Sequence, residues 1–203
     1  MSAPTLRYLL GATTPTSLPA QTTALLAIDF QNEYFTGSLP IPNGAAALQH
    51  ARALVDHADR YGWRVVHVQH VAPADSPLFA VGSQHAEIHA DMQPAPRHRV
   101  ITKNTVSVFA STDLAQTLKT DGITHVVICG FMTHACVAGA ARDAVPAGFE
   151  VIVAADACAT RDIAVDHELR VGHDTLHRSA LAEIADTFGS VMSTRDVLAL
   201  AVQ

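Results

Sequence analysis

A chain of 203 residues can bury one substantial core, so a single domain over 1–203 is expected, with residues 1–20 as an N-terminal extension. Its 49% apolar and 16% charged residues argue against disorder, and a net charge of −6 with Lys and Arg scattered singly offers no basic stripe for nucleic acid. No apolar run approaches a bilayer span, MSAPTLRYLLGATTPTSLPA makes a poor secretory signal, and three cysteines without scaffold spacing point to a reducing cytoplasm.

The first strand is expected over Thr23–Phe30, where ALLAIDF is apolar on both faces except for Asp29. A helix over Gly44–Tyr61 follows, with Leu48, Ala51, Val55 and Ala58 on one face and Gly62 as its left-handed stop. WRVVHV makes a strand over Trp63–Val68. The segment from His70 to His98, rich in Pro, Ser, Asp and His, is too long for a simple connector. A weaker strand covers Arg99–Thr102, and Leu114 and Leu118 mark a helix entered at Ser111 or Thr112 and left at Gly122.

THVVIC gives a strand over Thr124–Cys129. A helix starts near Cys136, turns Val137, Ala140, Ala141 and Ala144 inward, and ends at Pro146 and Gly148. Phe149–Ala154 is a strand, Leu169–Phe188 a helix with Leu176, Ala180, Leu181 and Ile184 on its apolar face, Ser190–Ser193 a short strand and Arg195–Val202 a terminal helix. Short β-branched runs alternating with helical periods describe an α/β fold with a mostly parallel sheet covered by helices on both faces.

Open parallel sheets bind ligands beyond the carboxyl ends of their strands. Asp29, Lys103 and Cys136 are the unusual residues there. A carboxylate inside ALLAIDF is costly unless paired, and a lysine is a suitable partner. Cys136 falls at a helix start, where free amides, the macrodipole and a nearby ammonium favour a thiolate. Cys129, inside THVVIC, reads as a small buried hydrophobe, and Cys158 in DACAT as mainly structural.

ALLAIDFQNEYF, VITKNTVSVFASTDL and VVICGFMTHACVAGAARDAVPAGFEVIVAADACAT resemble, in order and over nearly the whole chain, the motifs of isochorismatase-like hydrolases. In that family an aspartate closes the first strand, a lysine precedes an S-x-F segment, and a cysteine ends a G-x-x-T-x-x-C pattern. Asp29, Lys103 and Cys136 occupy those places. The resemblance implies a six-stranded Rossmann-like three-layer sandwich, a homo-oligomer, and a thioester route through a catalytic trio of Asp29, Lys103 and Cys136. It further implies an oxyanion hole from the backbone amides of Met132 and Cys136, and a cis peptide at Phe131–Met132. Tyr34, five residues beyond Asp29, and Phe109 of the S-V-F segment are candidate pocket walls, with Phe131, His70 and His134 as further lining. Gln31 and Asn32 are expected to tie the loop through backbone hydrogen bonds.

Twelve histidines invite a metal. His67 and His70 would point to opposite sheet faces, and the pairs His85/His89 and His173/His177 lack a third ligand. Metal-dependent nicotinamidases of the superfamily carry Asp-x-His where this chain reads HVQHVAPADSPLF, so no metal is expected. GFMTHAC has one glycine where a dinucleotide site needs several, which argues against any nucleotide cofactor. Three readings of a small-molecule site stay open: a thiol hydrolase of amide, ureido or carbamoyl C–N bonds, a thiol-independent vinyl-ether hydrolase, and a non-catalytic or redox-sensing relative. The intact trio favours the first.

Overall fold

The computed structural model describes residues 3–203; the first two residues of the expected extension lie outside it. In chain order the strands are β1 (Ser17–Leu18), β2 (Thr23–Ile28), β3 (Arg64–His70), β4 (Arg99–Lys103), β5 (His125–Phe131), β6 (Glu150–Ala159), β7 (Ile163–Ala164), β8 (Arg170–Val171), β9 (Ser190–Met192) and β10 (Ala201–Val202). The α-helices are α1 (Leu6–Leu9), α2 (Gly44–Tyr61), α3 (Val108–Ser111), α4 (Leu114–Thr120), α5 (Ala138–Ala144), α6 (His173–Glu183) and α7 (Thr194–Leu198).

Six strands form one sheet in the order β4-β3-β2-β5-β6-β9, and every neighbouring pair is parallel. Helices pack around it: α2 lies across β2, β3, β5 and β6 and against α7, while α5 packs on β5 and β6 and against α3. Covered faces explain the near-continuous apolarity of the central strands, where β2 is buried at every position. Gly62, at φ 73°, ends α2 in the left-handed conformation, and its N–H returns to Ala58 O.

The topology defines the reactive end. The chain leaves β2 for β3 on one side and later returns to β5 on the other, so the order reverses between β2 and β5, where ligand crevices form in open sheets. Gly130 makes the close approach there possible. At φ 132° it occupies a register shift between β5 and β6, and a Cβ on it would stand 2.0 Å from Ile28 O.

Three expectations need correcting. The helix expected over Leu169–Phe188 starts at His173, because Arg170–Val171 pairs antiparallel with Ile163–Ala164 in a hairpin; its last turn, Ile184–Phe188, is π-helical. The terminal helix ends at Leu198, and Ala201–Val202 becomes a strand parallel to Ser17–Leu18, so the end of the chain is tied to the N-terminal segment. A separate short helix, α3, precedes α4, and Asp113 rather than Ser111 or Thr112 is the residue before Leu114, although Thr112 Oγ1 still accepts from Leu114 N–H.

Candidate functional site

Four neighbouring strands each end in one polar residue of the site. Lys103 closes β4, His70 closes β3 and is its register partner, Asp29 follows β2, and Cys136 lies in the π-helical turn Thr133–Val137 beyond β5. Asp29 takes the left-handed conformation, φ 56°, one that Asp tolerates better than most residues, and its N–H donates to Val68 O at 2.9 Å. That bend carries its carboxylate off the strand line and toward the sheet end.

Lys103 Nζ lies 2.8 Å from Asp29 Oδ2, 3.0 Å from His70 Nδ1, 3.2 Å from Thr105 O and 3.3 Å from Cys136 Sγ. Asp29 is 0% and Lys103 1% exposed, so this is a buried ion pair. Neither Asp29 oxygen receives a well-directed hydrogen bond, close as the ammonium is. Burial pushes the Asp29 carboxyl up, against the pull of Lys103. Burial and then the Asp29 carboxylate push the Cys136 thiol up to about 12, with Lys103 opposing.

Burial and Asp29 thus hold the thiol up, against the lowering expected at a helix start. Cys136 is 6% exposed and faces a carboxylate, and these outweigh the amides of one short turn. The group is a thiol beside a base, with a cation close to both. Such an arrangement can transfer the proton as sulfur attacks an electrophile.

The turn that carries the thiol is held from both sides. Ala135 N–H and Val137 N–H return to Met132 O, and the Phe131–Met132 peptide is cis, as the resemblance implies. Thr133 Oγ1 is 2.8 Å from His177 Nδ1 on α6, and His134 Nδ1 is 2.6 Å from Thr160 Oγ1 after β6. Sequence reasoning missed the Thr133–His177 contact: His177 showed only as a helix-face partner of His173, with nothing pointing to a turn 44 residues away.

An aromatic wall closes over the trio. Phe131 packs edge-on against Phe30, Tyr34 and Phe35 at 4.7, 5.6 and 5.7 Å between centroids, and Phe79 bridges Tyr34 and His70 at 5.3 and 5.1 Å. Burial and the neighbouring Asp29 and Cys136 hold the Tyr34 phenol well above its usual range. Phe79 comes from the long loop after β3 and sits at φ 53°, with its N–H on the buried Glu33 carboxylate. Gln31 ties the same loop, donating to His70 O and Ala86 O and accepting from His70 N–H, and Asn32 donates to Gln84 O. Phe109 is not brought to the trio; its ring stacks on Phe149, just ahead of β6 at the amino end of the strands, opposite the end that carries the site.

Arg161, two residues past β6, was not singled out in the sequence. Its Nε is buried without a hydrogen-bond partner, its Nη1 donates to Asp162 O at 3.0 Å, and its charge is felt by both Tyr34 and His134. Among the described residues no group of three or more His, Cys, Asp or Glu is arranged to hold a metal ion, and no helix is long and apolar enough to cross a membrane.

The sequence model described as Isochorismatase domain matches residues 23–196. The secreted isochorismatase effector Isc1 of Verticillium dahliae is 37% identical over 94% of this chain and 97% of its own. Maleamate amidohydrolase of Pseudomonas putida is 29% identical over 86% of this chain and 84% of its own. The crystal structure of an isochorismatase from Pseudomonas putida superposes with a TM-score of 0.88 at 28% identity, covering 96% of this chain and 98% of that one.

Proposed function

Because the chain belongs to the isochorismatase family of hydrolases, we propose that it cleaves the C–N bond of a small amide, ureido or carbamoyl compound through a thioester on Cys136. The observation that carries this reading is the convergence of Asp29, Lys103 and Cys136 in one closed, buried cluster with Nζ within 3.3 Å of both partners.

With the thiol at about 12, attack cannot draw on a standing thiolate. Asp29 takes the Sγ proton as sulfur bonds to the carbonyl carbon, and Lys103 steadies the negative charge that passes between them. The backbone amides of Met132 and Cys136 receive the oxyanion. Asp29 returns the proton to the leaving nitrogen, the C–N bond breaks, and ammonia or an amine departs. Water then gives its proton to Asp29 and attacks the thioester, releasing the acid and restoring the thiol.

Tyr34, Phe131 and His134 flank the substrate in this reading, and Phe109 has no part in it. The buried, unpaired Nε of Arg161 supports a substrate that carries an anionic group, since a carboxylate would supply the missing acceptor. Three unpaired thiols support a reducing cytoplasm. The test is ammonia release from a panel of primary amides and ureido compounds in matched acidic and neutral forms. Turnover of acidic members is expected, with KM raised about tenfold in Arg161→Gln. Equal handling of acidic and neutral partners would remove the anion from the reading, and cleavage of vinyl ethers alone would replace it.

A further inference from the structure

His70 was expected as a pocket wall, yet its ring nitrogen is on the lysine. The strand order explains why. Lys103 at the end of β4 has to reach Asp29 beyond β2, two strand spacings away or roughly 9–10 Å, and β3 lies between. His70 is the residue of β3 in register with Lys103, so the lysine side chain passes over it.

Lys103 has three protons and four acceptors around it: Asp29 Oδ2, His70 Nδ1, Thr105 O and Cys136 Sγ. An ammonium has no lone pair to offer, so a hydrogen bond at 3.0 Å requires His70 Nδ1 to accept and the ring proton to sit on Nε2. Burial and the adjacent ammonium hold the imidazole down at about 4, which keeps it neutral in this role. Everything else about His70 is fixed as well. Gln31 binds its backbone through both N–H and C=O, and Phe79 packs edge-on against its ring.

We propose that His70 is a positioning residue for the thiol chemistry: as a tautomer-locked neutral acceptor it accepts one Lys103 hydrogen bond and so orients the ammonium, already 2.8 Å from Asp29 Oδ2, to reach Cys136 Sγ as well. Without that acceptor the ammonium turns further toward the carboxylate, loses its hold on the sulfur and weakens the base that must take the thiol proton. This rests on the proposed amide hydrolysis for its rate effect, but the tautomer itself does not.

Two measurements test it. Long-range 1H–15N spectra of the wild-type protein at neutral pH should show His70 with Nδ1 unprotonated and Nε2 protonated; a protonated Nδ1 overturns the proposal whatever the substrate proves to be. In turnover of the substrate found by the amide screen, His70→Phe keeps the ring packing and deletes the acceptor. It should lower kcat at least about tenfold at unchanged KM and melting temperature. His70→Gln, whose amide oxygen restores an acceptor, should recover to within about threefold of wild type. Native kcat in a folded His70→Phe protein, or equal losses in the Phe and Gln variants, would make His70 a packing residue only. Should the amide screen yield no substrate, the proposed reaction fails while the imidazole spectrum still decides the tautomer.

Discussion

The molecule uses the same residue types in two places. At the carboxyl end of the sheet stand Asp29, Lys103, His70 and Cys136; in its body, between α2, β3 and the chain entering β4, stand Asp59, Arg97, His98 and His67, with Cys129 in β5. The body set is satisfied. His67 Nε2 meets His98 Nδ1 at 3.1 Å, His98 Nε2 meets Asp59 Oδ1 at 2.8 Å, and Arg97 Nε donates to the same oxygen at 3.0 Å. Although burial opposes it, His98 and Arg97 hold Asp59 below the usual carboxylate range. The terminal set is not satisfied: Asp29 has an ammonium beside it but no well-directed donor, and the ammonium is shared among more acceptors than it has protons. Residue types are similar in the two sets, and both His67 and His70 are held down at about 4. Two things differ: Arg97 is exposed and Asp59 only partly buried where Lys103 and Asp29 are fully buried, and the polar groups of the terminal set lack the settled partners of the body set, which is where chemistry belongs.

The comparison breaks most visibly at the two cysteines. Cys136→Ala should lower turnover at least about a thousandfold with the fold retained, whereas Cys129→Ala should keep activity and lose about 1 kcal/mol of stability. Ammonia release and thermal melting read both variants, and selective inactivation of the Cys129 protein would mean that the wrong thiol was chosen.

A smaller effect tests the body set through pH. Burial first and His98 second depress His67 from 6.5 to about 4, so between those values the unfolded chain takes up a proton that the native protein refuses. Stability should therefore fall as pH drops from about 6.5 to about 4 and level off below, by on the order of 3 kcal/mol for this group. Urea unfolding across that range measures it. His67→Leu should make the slope shallower by that share, with His70 keeping its own, and a wild-type curve already flat from pH 7 to 4.5 would sink the account.

The smallest expected change is none. Exhaustive chelation should leave the rate as it was, because the long loop lacks Asp-x-His and because His173 and His177 are engaged by Asp162 and Thr133. Activity lost to chelator and restored by a divalent metal would undo the distinction between the two sets, since His70 would then have to be read as a ligand.

Much of this was legible in the sequence, and the reason is local. β2, β3, β5 and β6 are apolar runs bounded by turn residues, and the trio stands out because Asp, Lys and Cys interrupt or follow such runs. What escaped depends on partners remote in sequence. Ala201–Val202 reads as the tail of a helix because nothing in five residues of apolar chain announces a pairing with Ser17–Leu18. Leu169 reads as helical until Arg170–Val171 is seen against Ile163–Ala164. Arg161 looks like any loop arginine until its Nε is found buried, and the thiol's protonation follows from Asp29 and burial rather than from the helix start that the sequence displays.

The closure of the aromatic wall over Cys136 has a consequence for the enzyme's durability. Peroxides and alkylating agents consume thiolates, and a sulfur 6% exposed with its thiol at about 12 offers almost none at neutral pH. The proposed nucleophile should therefore outlast oxidative conditions that convert an exposed, acidic thiol to a sulfenic acid. Inhibitors that present a carbonyl to Asp29 and Cys136 together should reach it where simple electrophiles fail.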